Sequence, residues 1–93
     1  MPTFSVTIRV GIPRATDKQV GMLLRSIPNA VFDPMRRELT QSSMIDSVGE
    51  GSARDKAVRH VTWALDDAGL RFTEYSIVSN VAALFGEDTG EAP

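Results

Sequence analysis

The stretch that decides the fold is Gly49 to Leu70, GEGSARDKAVRHVTWALDDAGL. Its apolar residues recur at the spacing of an amphipathic helix, which predicts one long helix with a single buried face. We expect Ser52 to cap its start, because a serine hydroxyl accepts a free backbone N–H of the first turn. Gly69 before Leu70 is typical of a helix end at which glycine adopts the left-handed conformation. The predicted core-facing residues are Ala53, Ala57, Val58, Val61, Ala64, Leu65 and Ala68.

Trp63 is predicted on the opposite side of this helix, among charged residues such as Arg59 and Asp66. Two interpretations are open. The indole packs over neighbouring side chains or under the C-terminal segment of its own chain, since single apolar residues are common on protein surfaces. Alternatively it contacts a second subunit or another protein, because tryptophan is enriched in interface hot spots.

The chain before this helix predicts a strand and a second, shorter helix. Residues 4–12 alternate strictly between apolar and polar, which is typical of a strand with one buried face. Thr16 and Gln19 have the spacing of a capping box, so a helix should begin after Thr16. Its predicted core face carries Val20, Leu23, Leu24 and Ile27, with Met22 on the far side.

The remaining segments predict three more strands. Residues 30–32 form a short apolar run before Asp33-Pro34, a turn signal. Residues 39–48 are long enough for a strand but polar on both faces, so the strand register is weakly specified. Residues 71–81 should form the last strand, with a bulge near Glu74 where the alternation changes parity.

The predicted order is therefore strand, helix, strand, strand, helix, strand. This order indicates an α+β fold, a ferredoxin-like βαββαβ sandwich with a four-stranded antiparallel sheet and two helices on one face. The first and third strands should be central, with Ser5, Thr7 and Arg9 on the uncovered face. We expect residues 1–85 to form a single domain and residues 86–93, GEDTGEAP, to be a disordered C-terminal tail.

Composition narrows the class of protein. The 93 residues carry a formal net charge of −2, and an acidic balance argues against a dedicated nucleic-acid binder, which normally has a basic face. The absence of cysteine excludes disulfides and thiolate metal sites. The N-terminal residues lack the basic and apolar regions of a secretion signal, and no apolar run approaches the roughly 20 residues of a membrane span. We therefore expect a cytoplasmic protein without membrane attachment.

Few residues point to chemistry. Gly49, Gly51 and Ser52 lie at a strand-to-helix turn, where free amides could bind an anion or a small ligand, although the full phosphate-binding motifs are missing. His60 is the only histidine and has no nucleophile or carboxylate at a recognisable catalytic spacing. The carboxylates lack the spacing of a metal site. We therefore expect no catalytic residues, no metal and no cofactor.

Nucleic-acid binding is the weakest of the binding hypotheses. Arg9, Arg14, Arg36 and Arg37 could gather around the open sheet face, with the last two in solvent at a hairpin tip. Sheets of this topology bind RNA by stacking bases on aromatic side chains. The first strand offers no aromatic residue on that face, so we expect nucleic acid not to be the partner.

The function favoured by the sequence is a non-catalytic interaction or assembly module that forms a homo-oligomer or binds another protein. The candidate interface residues are Trp63, Met22, Leu84 and Phe85, because each is a large apolar residue without an evident place in the predicted core. The alternative is a small-molecule-binding regulatory domain, with a site near Gly49–Ser52 or at a subunit interface. The element order is similar to that of regulatory modules of the ACT type, which bind small ligands.

Overall fold

A computed structural model describes residues 2–83 of the chain. The elements are β1 (Thr3–Gly11), α1 (Asp17–Ser26), β2 (Ala30–Asp33), β3 (Glu38–Asp46), α2 (Glu50–Asp67) and β4 (Ser76–Ala83), with a 3-10 turn at Phe72–Glu74. The four strands form one antiparallel sheet in the order β2-β3-β1-β4. The predicted α+β class, the order of the elements and the central position of the first and third strands are confirmed.

The alternation of β1 divides the sheet into two unlike faces. Its apolar residues are buried on the face that the two helices cover, which we call the helix-side face, and Ser5, Thr7 and Arg9 lie on the open face. The register carries this division to the other strands, since Val6 pairs with Ser43 and Val81. The helix-side residues of the neighbouring strands are Ala30, Phe32, Leu39, Gln41, Ser43, Ile45, Ile77, Ser79, Val81 and Ala83.

The capping box predicted for α1 is confirmed, because the Gln19 amide donates to the Thr16 hydroxyl and the Gln19 side chain accepts from the Thr16 amide. The predicted core face is wrong at Leu24, which is 40% exposed. Met22, predicted on the far side, is partly buried against the core. A flexible, unbranched methionine side chain can bend towards apolar surface that a straight helical projection assigns to another residue.

The long helix α2 begins three residues earlier than predicted. Its N-cap is Gly49, the Ala53 amide donates to the Gly49 carbonyl, and Ser52 therefore lies within the first turn and does not cap it. No side chain caps this end of the helix. The negative charge of Glu50 instead interacts favourably with the positive end of the helix dipole. Glu50 also lies 3.9 Å from Arg54, one turn later. The buried face contains Ala53, Ala57, Val61, Ala64 and Leu65, as predicted, and Val58 is partly buried.

The predicted glycine-ended terminus of α2 is confirmed. Gly69 has a φ of 85°, its amide donates to the Asp66 carbonyl, and the Leu70 amide donates to the Leu65 carbonyl. These two bonds are those of a Schellman motif. The Gln19 side-chain amide donates to the Ala68 carbonyl, so the start of α1 is bonded to the end of α2.

Gly69→Ala is expected to lower the free energy of unfolding by about 1–2 kcal/mol, because a side chain at positive φ is strained. Gly51→Ala is the matched control, since Gly51 lies in α2 with open space around its α-carbon. The control should be neutral or stabilising by up to about 1 kcal/mol. Urea unfolding of both variants measures the difference, and equal midpoints would contradict the assigned cap.

The hairpin between β2 and β3 is fastened to α1 by Arg37, which the sequence placed in solvent. Its guanidinium donates to the Ala15 carbonyl, lies 3.9 Å from Asp17 and stacks over Phe32 at 5.2 Å. Arg36 remains exposed at the turn, 4.0 Å from Asp33. Because Phe32 is a helix-side residue, Arg37 is turned away from the open face.

The register of β3 is continuous with β1 from Thr3 opposite Asp46 to Gly11 opposite Glu38. Leu39 and Ile45 anchor it on the helix-side face, while the Thr3 hydroxyl donates to the Asp46 carboxylate at 2.6 Å. The strand that was predicted to start at residue 71 instead starts at Ser76, after the 3-10 turn. The parity change near Glu74 is this turn, whose Glu74 carboxylate accepts from the Arg71 amide.

The end of the last strand also differs from the prediction. The last strand was predicted to end at residue 81, whereas β4 continues to Ala83 and pairs with β1 up to that residue. Among residues 2–83, neither helix combines the length and the apolar character needed to cross a membrane.

Candidate interaction surfaces

The first candidate surface is a cleft beside α2 that exposes aromatic side chains. It has a volume of about 400 Å³, and Trp63, Phe72, Tyr75 and Leu70 contribute its apolar lining, with Thr62, Asp66 and Arg71 around them. Trp63 is 59% exposed and Phe72 is 80% exposed. We call this surface the aromatic cleft. Monomeric proteins rarely expose large apolar patches, so exposed aromatic residues that share one cleft indicate a binding surface.

Two local features hold these aromatic residues together. Trp63 stacks on His60, one turn earlier in α2, with ring centroids 5.9 Å apart. The Schellman end of α2 reverses the chain at Gly69, and the 3-10 turn then brings Phe72 and Tyr75 back towards the helix. The aromatic cleft therefore lies between α2 and the connection that leads directly into β4.

The second candidate surface is the outer edge of β4. Within residues 2–83, this strand pairs with β1 on one side only, so a row of its backbone N–H and C=O groups has no described strand beside it. Its sequence, SIVSNVAA, contains no charged residue and no proline. Its register with β1 is regular, without a bulge. Natural proteins commonly block exposed strand edges with lysine, proline or bulges, and β4 has none of these.

The third candidate surface is a smaller cleft on the helix-side face, at the opposite edge of the sheet. It has a volume of about 270 Å³ and lies between β3 and α2. We call it the β3 cleft. It lies where β2 is short: this strand has four residues and begins opposite Gln41, so no strand among residues 2–83 pairs with the outer side of the second half of β3. It is lined by Pro28, Gln41, Ser43, Ile45, Lys56, Ala57 and His60.

The open face of the sheet is the surface left bare by both helices. Serine and threonine dominate its centre, and the Thr7 and Ser42 hydroxyls lie 3.5 Å apart across two strands. The four arginines considered for nucleic-acid binding do not share this face, because Arg37 contacts helix-side Phe32 and Ala15. The prediction that nucleic acid is not the partner stays a prediction.

The residues predicted for anion or ligand binding do not line any of the clefts described above. Gly49 is the N-cap of α2, and Gly51 and Ser52 occupy its first turn. Both glycines are surrounded by open space. Glu50 adds a negative charge between them, which opposes an anion at this helix end. The proposed role of these residues stays a prediction.

Of the four predicted interface residues, Trp63 lies in the aromatic cleft and Met22 packs partly against the core. Leu84 and Phe85 lie outside the described residues, as does the predicted tail at residues 86–93. His60 has an aromatic neighbour but no hydrogen-bond partner within residues 2–83. The same residues contain no group of three histidine, cysteine or carboxylate side chains placed to hold a metal ion.

The sequence did not predict that Phe72 and Tyr75 lie beside Trp63 in the aromatic cleft. The available signal was the parity change between these two aromatic residues, which was interpreted as a bulge within a strand. It also missed the β3 cleft, although the polar Gln41 and Ser43 on the apolar side of a strand indicated a place where the core is open.

Comparison of the chain with protein-family models, with curated proteins and with solved structures finds no match in any of the three.

Proposed function

We propose that this protein is a non-catalytic interaction module that self-associates by pairing β4 of one subunit with β4 of another. The observation that carries the proposal is the β4 edge, eight residues long, uncharged and regular. Exposed edges of this kind pair with another strand readily, and pairing satisfies the outward backbone groups of both chains. We also assign the element order and sheet order to the ferredoxin-like arrangement.

The edge is self-complementary. Antiparallel pairing about a twofold axis through Ser79 keeps helix-side residues together, because it opposes Ile77 with the partner's Val81 and Val78 with the partner's Asn80. Ile77 and Val81 are partly buried apolar side chains that pack against the core of their own subunit. No charged residue of β4 would face another. The product is a closed twofold dimer with one continuous eight-stranded sheet.

The same register gives the aromatic cleft a role in the assembly. It places the partner's Ala82 opposite Ser76 and the partner's Ala83 opposite Tyr75, which lines the cleft. Leu84 and Phe85 come next in the sequence. We propose that these two residues of one subunit cover Trp63 and Phe72 of the other, so that two separate apolar surfaces are buried by one twofold contact.

Val78→Lys tests the edge. Val78 is 55% exposed on the open face, so a lysine there leaves the core unchanged. In the dimer Val78 faces the partner's Asn80 and lies diagonally across the axis from the partner's Val78, so the substitution would place two positive side chains on positions about 8 Å apart. We expect the dissociation constant, measured by sedimentation velocity over a concentration series, to rise about tenfold or more.

Val31→Lys is the matched control. Val31 is also an exposed valine on the open face, 67% accessible, but it lies in β2 at the opposite edge of the sheet. This variant should associate like the unmodified protein. Equal dissociation constants for the two variants, or a larger effect at Val31, would contradict assembly through β4.

A further inference from the structure

The β3 cleft has the chemical character of a small-ligand site, and it touches the proposed dimer contact only through His60, which stacks on Trp63. It lies at the β2 and β3 side of the sheet, two strands away from the β4 edge. The apolar part of its lining is formed by Ile45, Ala57 and Pro28. Its volume of about 270 Å³ is near the lower end of the range for ligand pockets. An occupant must therefore be compact and largely apolar.

None of the polar groups that line this cleft is negatively charged. Lys56 supplies an ammonium group, His60 an imidazole and Ser43 a hydroxyl, while no carboxylate is among the lining residues. Lys56 donates one hydrogen bond to the Asp46 carbonyl at 3.2 Å, which holds its charge beside β3. An ammonium group has three donors, so this bond leaves capacity for a ligand oxygen.

Gln41 is a polar residue in the lining of the cleft that bonds across to another lining residue. This side chain is buried, and its amide donates to the Pro28 carbonyl at 3.2 Å. The bond spans the gap between β3 and the loop after α1. The same bond satisfies the buried amide donor, so Gln41 can remain at an apolar boundary without a ligand. The opening is thus a built feature of the fold, adjacent to the positive charge of Lys56.

We propose that the β3 cleft binds a small carboxylate with a compact apolar body. The apolar part would rest against Ile45 and Ala57, and the carboxylate would accept a charge-assisted hydrogen bond from Lys56. A neutral amide of the same shape would keep the apolar contact and lose the charge. An amine would meet the Lys56 ammonium group as a like charge.

Three probes of nearly equal shape separate these possibilities: benzoate, benzamide and benzylamine. Backbone amide chemical shifts of the isotope-labelled full chain are followed during each titration. Benzoate should shift the Ser43 and Ala57 signals saturably, with a dissociation constant on the order of 10 mM or lower, as expected for a ligand of nine non-hydrogen atoms bound with modest efficiency. Benzamide and benzylamine should bind several-fold more weakly.

Lys56→Gln should remove the preference for benzoate over benzamide. Lys18→Gln is the matched control, since Lys18 is an exposed lysine of α1 and does not line the cleft. It should leave the preference unchanged. The proposal is overturned if benzoate gives no saturable shift at Ser43 and Ala57 by about 50 mM, roughly five times the expected dissociation constant. It is equally overturned if benzamide binds as well as benzoate to the unmodified protein, or if both lysine variants lose the preference alike.

Discussion

Leu65→Ala is expected to lower the free energy of unfolding by about 2–5 kcal/mol, a large part of the stability of a domain of this size. Leu65 is fully buried, and it lies in α2 on the face that packs over β4 and β1. Removing its branched end loses apolar burial and leaves a cavity, because a closely packed core relaxes only in part. Thermal or urea unfolding of the purified variant measures this loss.

Leu24→Ala is the matched control for this substitution. It removes the same atoms from a leucine that is 40% exposed on α1. The control should cost clearly less, about 1 kcal/mol or under, because surface substitutions away from special features have small effects. A larger loss at Leu24 than at Leu65 would contradict the assigned core and restore the helix face predicted from the sequence.

Trp63→Ala is expected to weaken the proposed dimer by about 2 kcal/mol or more, which raises the dissociation constant about thirtyfold. A buried tryptophan at an interface is a frequent hot spot. The fold should change little, because Trp63 is 59% exposed within its own subunit. Sedimentation velocity gives the dissociation constant, and urea unfolding at low protein concentration gives the stability of the subunit.

Met35→Ala provides the comparison for Trp63. Met35 is an apolar residue of the β2–β3 hairpin that is more exposed than Trp63, and it does not line the aromatic cleft. Its removal should leave association unchanged. If Trp63→Ala instead lowers the stability of the subunit and leaves the dissociation constant unchanged, the indole is covered by its own chain and the proposed contact with Leu84 and Phe85 is wrong.

The sheet and the long helix could be predicted because each has a strong local pattern. Strict alternation over residues 4–12 places every second side chain on one face, and the periodicity of α2 specifies its buried stripe. The capping box at Thr16 and the glycine end at Gly69 are likewise local signals, and both are confirmed. Each of these features involves residues within about one helical turn or a few strand positions.

The errors concern features that depend on tertiary packing. Leu24 belongs to the apolar stripe by spacing, but α1 packs over the short β2 strand and only part of that stripe reaches the core. Arg37 follows a turn signal and was expected in solvent, yet it stacks over Phe32 across the hairpin and donates to the carbonyl of Ala15, which lies 22 residues earlier. No local pattern contains such partners.

The candidate surfaces were predictable to different degrees. Trp63 was identified because a helical projection puts it away from the core. Its neighbours Phe72 and Tyr75 were assigned to a strand, since a three-residue 3-10 turn has no distinctive sequence pattern. The β4 edge could be identified only once the strand order was known, because the sequence of β4 does not indicate which side of the strand stays unpaired.

The most direct test of self-association is the molar mass of the unmodified protein in solution. Light scattering coupled to size-exclusion chromatography should give a mass that rises with concentration towards twice the subunit mass of 10.1 kDa. Trp63 fluorescence should shift to shorter wavelength over the same concentration range, as the indole leaves water. A mass of 10.1 kDa at every concentration, with Trp63 emission unchanged, would contradict the proposed assembly.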